Sequence, residues 1–282
     1  MQSDPPSKIS KLNHQQEVVR LAQLTDCHLC HDEGGTLLGM DTDHSLKSVI
    51  ARVKKERPEI DLALFTGDLA DHGSIAAYRR MEAYSRELIK HSFWLPGNHD
   101  DLAEMLAAGI APERMSAEIH VGRWQILMLD TQVPGDVGGE LGTHQLQLLE
   151  RALQRAQAED LHTLICLHHH PVNIGCAWLD KQMVSDADDF FELIDSFTSV
   201  KGVLWGHVHQ QLDSERNGVK LLASPSTCVQ FAPGSEDFRA DNLAPGYRWL
   251  ELHASGAIET GVSRVDDEPF NVDLASTGYL DH

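Results

Sequence analysis

The chain contains 282 residues, 41% of them hydrophobic, and carries a formal net charge of -20 at pH 7. Its length suits one large α/β domain or two small ones, and its acidity excludes the broad basic surface that binds nucleic acids. No apolar run approaches the ~18–20 residues that span a bilayer, so the sequence predicts neither a nucleic-acid partner nor a membrane protein.

The N-terminal segment, residues 1–16, is polar and holds Pro5 and Pro6. It lacks the apolar core of a signal peptide, so a cytoplasmic protein is predicted. We expect this segment to be a disordered N-terminal arm.

Six short apolar runs follow, and each leads into polar residues that can carry chemistry. Near-continuous apolar runs of this length are typical of strands that are covered on both faces. The predicted strands cover residues 18–24, 61–65, 92–95, 124–129, 163–167 and 203–205.

Helical stretches lie between these runs. In the first of them, Leu46, Val49, Ile50 and Val53 repeat at close to helical spacing, which predicts an amphipathic helix. Thr143 is a candidate N-cap for a later helix. The predicted helices cover residues 44–56, 74–89, 143–156 and 188–197. Strands that alternate with helices predict a layered α/β fold with much parallel pairing.

The last third of the chain has a different pattern, in which strands follow one another through turns. Ser255-Gly256 is a hairpin signal, so antiparallel strands should join the sheet here. The strands predicted in this part cover residues 218–223, 247–252 and 257–262. Because no repeat or linker is found, we expect one domain over residues 17–265 and a C-terminal tail over residues 266–282.

The cysteines argue against a disulfide framework, because their number is odd and no secretion signal precedes them. Cys27 and Cys30 form a C-x-x-C pair, but the second pair of a zinc site is missing. We therefore expect Cys27 to fill a tight turn. The five cysteines are Cys27, Cys30, Cys166, Cys176 and Cys228.

The polar residues after the strands form one candidate site. Ligands collect outside the carboxyl ends of the strands in open α/β sheets, and nitrogen and oxygen donors suit Mn, Fe, Co or Zn. A pair of such cations needs a bridging carboxylate, for which Asp68 is a candidate. The segments concerned are Asp26-Cys27-His28, Gly67-Asp68, Gly97-Asn98-His99-Asp100, His168-His169-His170 and Gly206-His207-Val208-His209.

Several of these residues also have an ordinary structural interpretation. Asp68 is in a position where a turn or helix-cap aspartate is common, and Asn98 is in a glycine-containing turn. Three consecutive histidines cannot all bind from one short loop. We choose His168 as the ligand, with His169 as its rival and His170 lining the pocket.

The ordered set D-x-H, G-D, G-N-H-D, H and G-H-x-H resembles the calcineurin-like metallophosphoesterase superfamily. Within it, the chain looks like the bacterial class III 3',5'-cyclic-AMP phosphodiesterases. This resemblance covers residues 17–265 and implies a four-layer α/β/β/α sandwich of mixed sheets flanked by helices. One departure is His170, where many relatives have proline. The supporting stretches are residues 96–100, 168–180, 224–228, 230–231 and 245–248.

The resemblance implies a role for each site residue. The remaining bridge between the two divalent ions (Fe, Mn, or Zn/Co) is water or hydroxide. Because His99 is not a ligand in this set, we expect it to act as the general acid, with Asp100 orienting its ring. Asn98, His99 and His209 are expected to contact the substrate. One metal is expected on Asp26, His28, Asp68 and His209, and the other on Asp68, Asn98, His168 and His207.

The implied reaction is the hydrolysis of 3',5'-cyclic AMP to 5'-AMP by a metal-bridging hydroxide. Two divalent cations bring four positive charges, and Asp26, Asp68 and a hydroxide remove three, which leaves a site suited to a phosphodiester monoanion. This count does not separate cyclic from linear diesters. The alternatives are a glycerophosphodiester or a nucleotide monoester as substrate, or a non-catalytic scaffold. The oligomeric state is open, with a homodimer as one option because relatives often dimerise. We place the rim of the base pocket at residues 176–180 and 227–234.

Overall fold

Two mixed β-sheets face each other and carry helices on their outer sides in the computed structural model, which describes residues 9–278. The helices are α1 (Thr42–Glu56), α2 (Ile75–Leu88), α3 (Leu102–Ala107), α4 (Gly142–Ala158) and α5 (Ala187–Ile194), with short 3₁₀ turns at Pro112–Met115 and Asp180–Gln182. The strands are β1 (Ile9–Leu12), β2 (Val18–Leu24), β3 (Thr36–Leu37), β4 (Met40–Asp41), β5 (Leu62–Thr66), β6 (Ser92–Leu95), β7 (Glu118–Val121), β8 (Trp124–Met128), β9 (His162–Cys166), β10 (Val200–Trp205), β11 (Leu212–Arg216), β12 (Val219–Ala223), β13 (Gln230–Phe231), β14 (Ala240–Asp241), β15 (Gly246–His253) and β16 (Ile258–Arg264).

Each large sheet has a parallel centre and antiparallel additions. The five-stranded sheet has the order β16-β15-β2-β5-β6, in which β2, β5 and β6 are parallel. The seven-stranded sheet has the order β1-β7-β8-β9-β10-β12-β11, in which β8, β9, β10 and β12 are parallel. As predicted, β15 and β16 form an antiparallel hairpin.

Three apolar clusters fill the spaces between the four layers. One lies between the two sheets, and the other two lie between each sheet and its helices. Along β2, Leu21 belongs to the cluster between the sheets, whereas Ala22 and Leu24 belong to the helix side. Successive side chains of a strand face opposite sides, so a strand buried on both faces has a nearly continuous apolar sequence. The predicted α/β/β/α sandwich is confirmed.

Across residues 9–278, each helix is too short or too polar to cross a lipid bilayer.

Two helices begin with a side-chain cap, and a third corrects the cap expected from the sequence. Ser74 caps α2 by accepting a hydrogen bond from Ala77 N, and Asp41 caps α1 in the same way. The expected cap Thr143 is wrong, since α4 begins at Gly142 without a side-chain cap of its own. Its first amides donate instead to the Asp186 carboxylate, at 2.9 Å from Leu141 N and 2.7 Å from Gly142 N.

Both ends of the described part of the chain contact the rest of the fold. Residues 9–12 lie inside the predicted disordered arm, but they form strand β1, which pairs with β7; residues 1–8 lie outside the described part. The tail from residue 266 has no helix or strand up to residue 278. It is nevertheless attached, because Phe270 packs against two of the apolar clusters and Asp273 N donates to Leu38 O at 2.7 Å.

Glu118 in β7 is a buried carboxylate held by three side chains. It accepts hydrogen bonds from His120 Nε2 at 2.6 Å, Gln125 Nε2 at 2.8 Å and Arg155 Nη2 at 2.7 Å. Burial raises the pKa of this group, but the hydrogen bonds outweigh burial and lower the pKa to about 2. Because the folded-state pKa lies below the unfolded value of about 4.3, the ionised form stabilises the fold above that pH, and this contribution is lost as the pH falls towards 2.

We therefore expect Glu118→Gln to destabilise the protein at pH 7 by on the order of 2 kcal/mol. Urea unfolding at pH 7, 5 and 3 measures the effect, and the difference from the wild type should shrink at the lowest pH. Glu192→Gln is the matched control, because the Glu192 side chain is exposed on α5 and lies outside this cluster. An equal difference at pH 7 and pH 3 would contradict the assignment.

Candidate metal centre

The seven predicted metal ligands converge at the carboxyl ends of the strands. They lie in the loops that follow β2, β5, β6, β9 and β10, so residues almost two hundred positions apart in the sequence come together. Asn98 is half-buried and the other six are buried. The site thus draws on both sheets, and the packing of the sheets fixes its geometry.

The first group consists of Asp26, His28 and His209. The Nε2 atoms of His28 and His209 are 3.2 Å apart, and His209 Nε2 is 3.4 Å from Asp26 Oδ1. One ligand atom from each of the three residues lies within 4.8 Å of the others. Two imidazoles and a carboxylate at these distances form a donor set for a divalent cation.

The second group lies around His168. His168 Nε2 is 3.2 Å from Asn98 Oδ1 and 3.3 Å from Asp68 Oδ2. The same Asp68 oxygen is 3.7 Å from His28 Nε2 in the first group. The His207 ring centroid is 5.2 Å from that of His168, and His207 Nε2 is buried without a hydrogen-bond partner within residues 9–278. Asp68 therefore lies between the two groups.

Backbone carbonyls fix the orientation of two of these imidazoles. His168 Nδ1 donates to Thr66 O at 2.9 Å, and His209 Nδ1 donates to Val229 O at 2.7 Å. Because a carbonyl only accepts, each Nδ1 carries a hydrogen, and Nε2 is the nitrogen of each ring that faces the centre. Together with the buried His207 Nε2, this orientation shows that the residues present fit a pair of divalent cations.

Left-handed backbone conformations aim most of these side chains. Non-glycine residues seldom adopt positive φ, and each instance costs on the order of 1–3 kcal/mol. Such conformations cluster at functional sites because the surrounding fold must enforce them. The site residues concerned are Asp26 (φ 55°), His28 (46°), Asp68 (50°), His207 (63°) and His209 (48°).

Three glycines let these loops approach one another. A Cβ on Gly97 would lie 2.2 Å from Asp68 Oδ1, and one on Gly67 would lie 2.1 Å from His168 Nδ1. A Cβ on Gly206 would lie 2.7 Å from Asp26 Oδ2. Each distance is shorter than any ordinary contact, so these positions exclude larger residues.

In the absence of cations, the negative charge of the buried Asp68 carboxylate favours a proton on His168. Burial raises the pKa of Asp68, but His168 and His99 outweigh burial, so that this pKa lies well below its usual range. Burial lowers the pKa of His168, but the Asp68 carboxylate raises it to about 9. Burial holds the pKa of His28 and His207 below the ordinary value. A bound cation would take the place of the proton on His168.

The predicted partner of His99 requires a correction. Asp100 was expected to orient the His99 ring, but its carboxylate accepts from Leu69 N, Ala70 N, Gly97 N and Tyr78 Oη, at 2.9–3.1 Å. It thereby ties the Asp68 loop to the Asn98 loop. His99 Nδ1 instead lies 2.6 Å from Asp71 O and 3.8 Å from the Asp71 carboxylate.

Asp71 is the site residue that the sequence analysis missed. Its Oδ1 also lies 3.4 Å from His28 Nδ1, so one side chain supports both histidines. The available signal was its position three residues after Asp68, in Gly67-Asp68-Leu69-Ala70-Asp71.

The three consecutive histidines have separate environments. Only His168 directs a ring nitrogen at Asp68 and Asn98 in the contacts described above. His169 Nδ1 is 2.7 Å from Thr131 Oγ1, and its ring centroid is 4.6 Å from that of His207. His170 stacks on His207 at 5.8 Å and has its Nε2 at 3.9 Å from the Asp180 carboxylate. One ring nitrogen from each of His168, His169 and His207 lies within 4.8 Å of the others. His168 therefore stays our predicted ligand on its contacts with Asp68 and Asn98, and His169 stays its rival.

The two loops predicted to form the pocket rim do meet. Cys176 Sγ donates to Ala232 O at 3.8 Å, and the Trp178 and Phe231 rings pack edge to face at 5.2 Å between centroids. Phe231 in turn lies parallel to His209 at 4.1 Å. An aromatic cluster of Trp178, Phe231 and Phe238 thus adjoins the metal centre on the His209 side.

Comparison with known sequences identifies relatives along nearly the whole chain. The model of the calcineurin-like phosphoesterase family matches residues 19–211. The chain is 47% identical over 261 residues to the 3',5'-cyclic adenosine monophosphate phosphodiesterase CpdA of Pseudomonas aeruginosa, covering 93% of this chain and 95% of that protein. It is 44% identical over 266 residues to the protein of the same name from Escherichia coli K12, with the same coverage.

Comparison with solved structures shows the shared fold. A dimetal phosphatase from Danio rerio superposes with a TM-score of 0.58 at 15% identity, over 88% of this chain and 99% of that one. A purple acid phosphatase from yellow lupin superposes with a TM-score of 0.56 at 14% identity, over 89% of this chain and 54% of that one. The layered architecture is therefore common to proteins of very different sequence.

Proposed function

The chain belongs to the calcineurin-like phosphoesterase family, and we propose that it is a dinuclear-metal phosphodiesterase that hydrolyses 3',5'-cyclic AMP to 5'-AMP. The observation that carries the proposal is the position of Asp68, whose Oδ2 lies 3.7 Å from His28 Nε2 and 3.3 Å from His168 Nε2. The substrate is supported by identities of 44–47% with proteins named as cyclic-AMP phosphodiesterases, over 93% of the chain.

The proposed ligand sets follow the two groups of the site. Asp26, His28 and His209 would hold one cation, Asn98, His168 and His207 would hold the other, and Asp68 would be shared between them. The nitrogen and oxygen donors suit Fe, Mn, or Zn/Co. When bound, two such cations supply a hydroxide nucleophile by lowering the pKa of a water molecule, and they neutralise charge on the phosphoryl oxygens.

The chain's own residues position the diester and complete the reaction. Asn98, His99 and His209 contact the phosphate. Since the His99 ring is fixed through Nδ1 by Asp71 O at 2.6 Å, its Nε2 is the atom that we assign as proton donor. As the water oxygen bonds to phosphorus, the bond from phosphorus to the 3'-oxygen breaks, and the His99 proton moves to that oxygen.

Replacing His99 by alanine is expected to lower kcat by about 10²–10⁴-fold, the range for a lost general acid, while the metal content stays at the wild-type level. Steady-state kinetics and elemental analysis of the same preparation measure both. His91→Ala is the control, because this side chain is exposed and belongs to neither metal group. Loss of metal from His99→Ala would mean that His99 is a ligand instead.

Product analysis tests the proposed function. Purified protein with Mn²⁺ or Fe²⁺ is incubated with cyclic AMP, cyclic GMP, glycerophosphodiesters and nucleotide monoesters, and we expect 5'-AMP from cyclic AMP at the highest kcat/KM. Preference for a linear diester or a monoester would overturn the substrate, and absence of hydrolysis of every compound would favour the scaffold. The homodimer and the cytoplasmic location stay predictions.

A further inference from the structure

A cavity of about 590 Å³ lies beside the metal centre. Its walls come from three parts of the chain: the segment after the D-x-H motif, the residues after Asp68 and the C-terminal tail. Asp71 belongs to this wall and also contacts His28 and His99, at 3.4 Å and 3.8 Å. The volume lies within the usual range for small-molecule pockets. The residues that matter here are Cys30, Thr36, Leu38, Asp71, His72 and Asp273.

One wall of the cavity is a strained hairpin that the C-terminal tail holds in place. Strands β3 and β4 pair around a two-residue turn, Leu38-Gly39, in which φ is 48° and 80°. Such turns need positive φ at both positions, and a leucine seldom adopts it. Leu38 is buried, and its carbonyl accepts the hydrogen bond from Asp273 N. A residue keeps a strained backbone conformation only where contacts with the surrounding structure enforce that conformation.

The cavity lies on the side of the site where the nucleoside must be. This step rests on the proposed function, in which His99 protonates the departing 3'-oxygen. That oxygen is bonded to the ribose, so the ribose and its base extend from His99. The His72 ring stacks on the His99 ring at 6.0 Å between centroids and 28° between planes, and both His72 and Asp71 line the cavity.

We propose that this cavity binds the nucleobase of the cyclic nucleotide. The exposed His72 imidazole, 62% accessible, offers a flat face against which a base can stack. The leucines of the hairpin supply apolar surface, and the carboxylates and imidazoles of the rim supply groups for the polar edge of the base. This mixture of apolar walls and a few polar groups is typical of small-molecule sites.

The aromatic cluster of Trp178, Phe231 and Phe238 is the competing position for the base. Phe231 of this cluster stacks on His209. His209 and Asp71 approach different nitrogens of the His28 ring, since His209 lies near Nε2 and Asp71 lies near Nδ1. The cluster therefore lies away from the residue that we assign to the leaving oxygen. The two positions are separable by substitution.

The test compares cyclic AMP with 1-deoxyribose 3',5'-cyclic phosphate, which keeps the sugar and the cyclic diester but lacks the base. In the wild type we expect kcat/KM to favour cyclic AMP at least about tenfold, equivalent to 1.4 kcal/mol. Thr36→Trp places bulk in the cavity from an exposed strand position, and it should abolish this preference mainly through KM. His72→Ala should reduce the preference several-fold.

Two further variants complete the experiment. Thr198→Trp makes the same change at an exposed position that does not line the cavity, and Trp178→Ala disrupts the aromatic cluster. Equal metal content and equal melting temperature confirm that each variant is folded and loaded.

The outcomes separate the two proposals. If the wild type does not hydrolyse cyclic AMP, the proposed function fails and the base pocket fails with it. If the wild type does hydrolyse it, but Thr36→Trp and His72→Ala keep the wild-type preference, the cavity does not bind the base and the proposed function stands. Loss of the preference in Trp178→Ala alone would place the base on the aromatic cluster.

Discussion

Replacing Asp68 by alanine is expected to remove both cations and to lower kcat/KM by at least about 10³-fold. Asp68 Oδ2 is the atom that lies near the imidazoles of both groups. Its charge offsets the repulsion between cations that are ~3.5–4 Å apart. Without it, His28 and His168 remain, but they carry no negative charge and cannot offset the repulsion of a second cation.

Elemental analysis after reconstitution with Mn²⁺, together with kcat/KM for cyclic AMP, measures this result. Asp68→Asn keeps the volume of the side chain and should also fail to hold two cations, which separates loss of charge from loss of packing. Asp188→Ala, at an exposed position of α5, controls for the removal of an acidic residue. Two cations per chain in Asp68→Ala would show that the bridge is assigned wrongly.

The Gly97→Ala variant should lose most of its activity although it adds only one methyl group. The new Cβ would lie 2.2 Å from Asp68 Oδ1 and 2.7 Å from His168 Cε1, so the loops of two proposed ligands have to move apart. Displacing reacting groups by about 1 Å costs on the order of 10²-fold in rate. We expect a loss of at least that size in kcat/KM, together with weaker metal binding.

Gly278→Ala is the matched control, because a Cβ there meets no atom of residues 9–278 within 4 Å and the backbone does not have positive φ. The metal affinity of both variants is measured by titration with Mn²⁺, and their folding by thermal unfolding. Wild-type metal affinity and activity in Gly97→Ala would show that the loops can separate without harm.

The central strands and most of the site could be predicted because the same physical pattern encodes both. The predicted strands 18–24 and 92–95 coincide with β2 and β6. A strand that is covered on both faces is apolar at nearly every position, so its sequence is an uninterrupted apolar run. The polar residues that end these runs stand out for the same reason. Their order along the chain then identified the family.

The sequence did not predict several contacts between segments that are distant along the chain. Asp186, rather than Thr143, satisfies the start of α4, and nothing in the local sequence indicates an acceptor more than forty residues away. Strand β1 was not predicted because a short edge strand needs little apolar surface. Asp71 was not predicted because it contacts His28 and His99 and was not among the polar residues that directly end a strand. Asp100 was assigned to its neighbour His99, whereas it binds the backbone of another loop.

The left-handed residues of the metal centre set a limit on how the enzyme can be improved. Glycine would relax the backbone at each of these five positions, yet it would also delete the donor that the position supplies. A laboratory search for heat-resistant variants that ignores activity would therefore be drawn to those sites and would return inert proteins. Engineering for thermal stability should leave these five residues unchanged and should seek stabilising substitutions on the outer helices and the exposed loops.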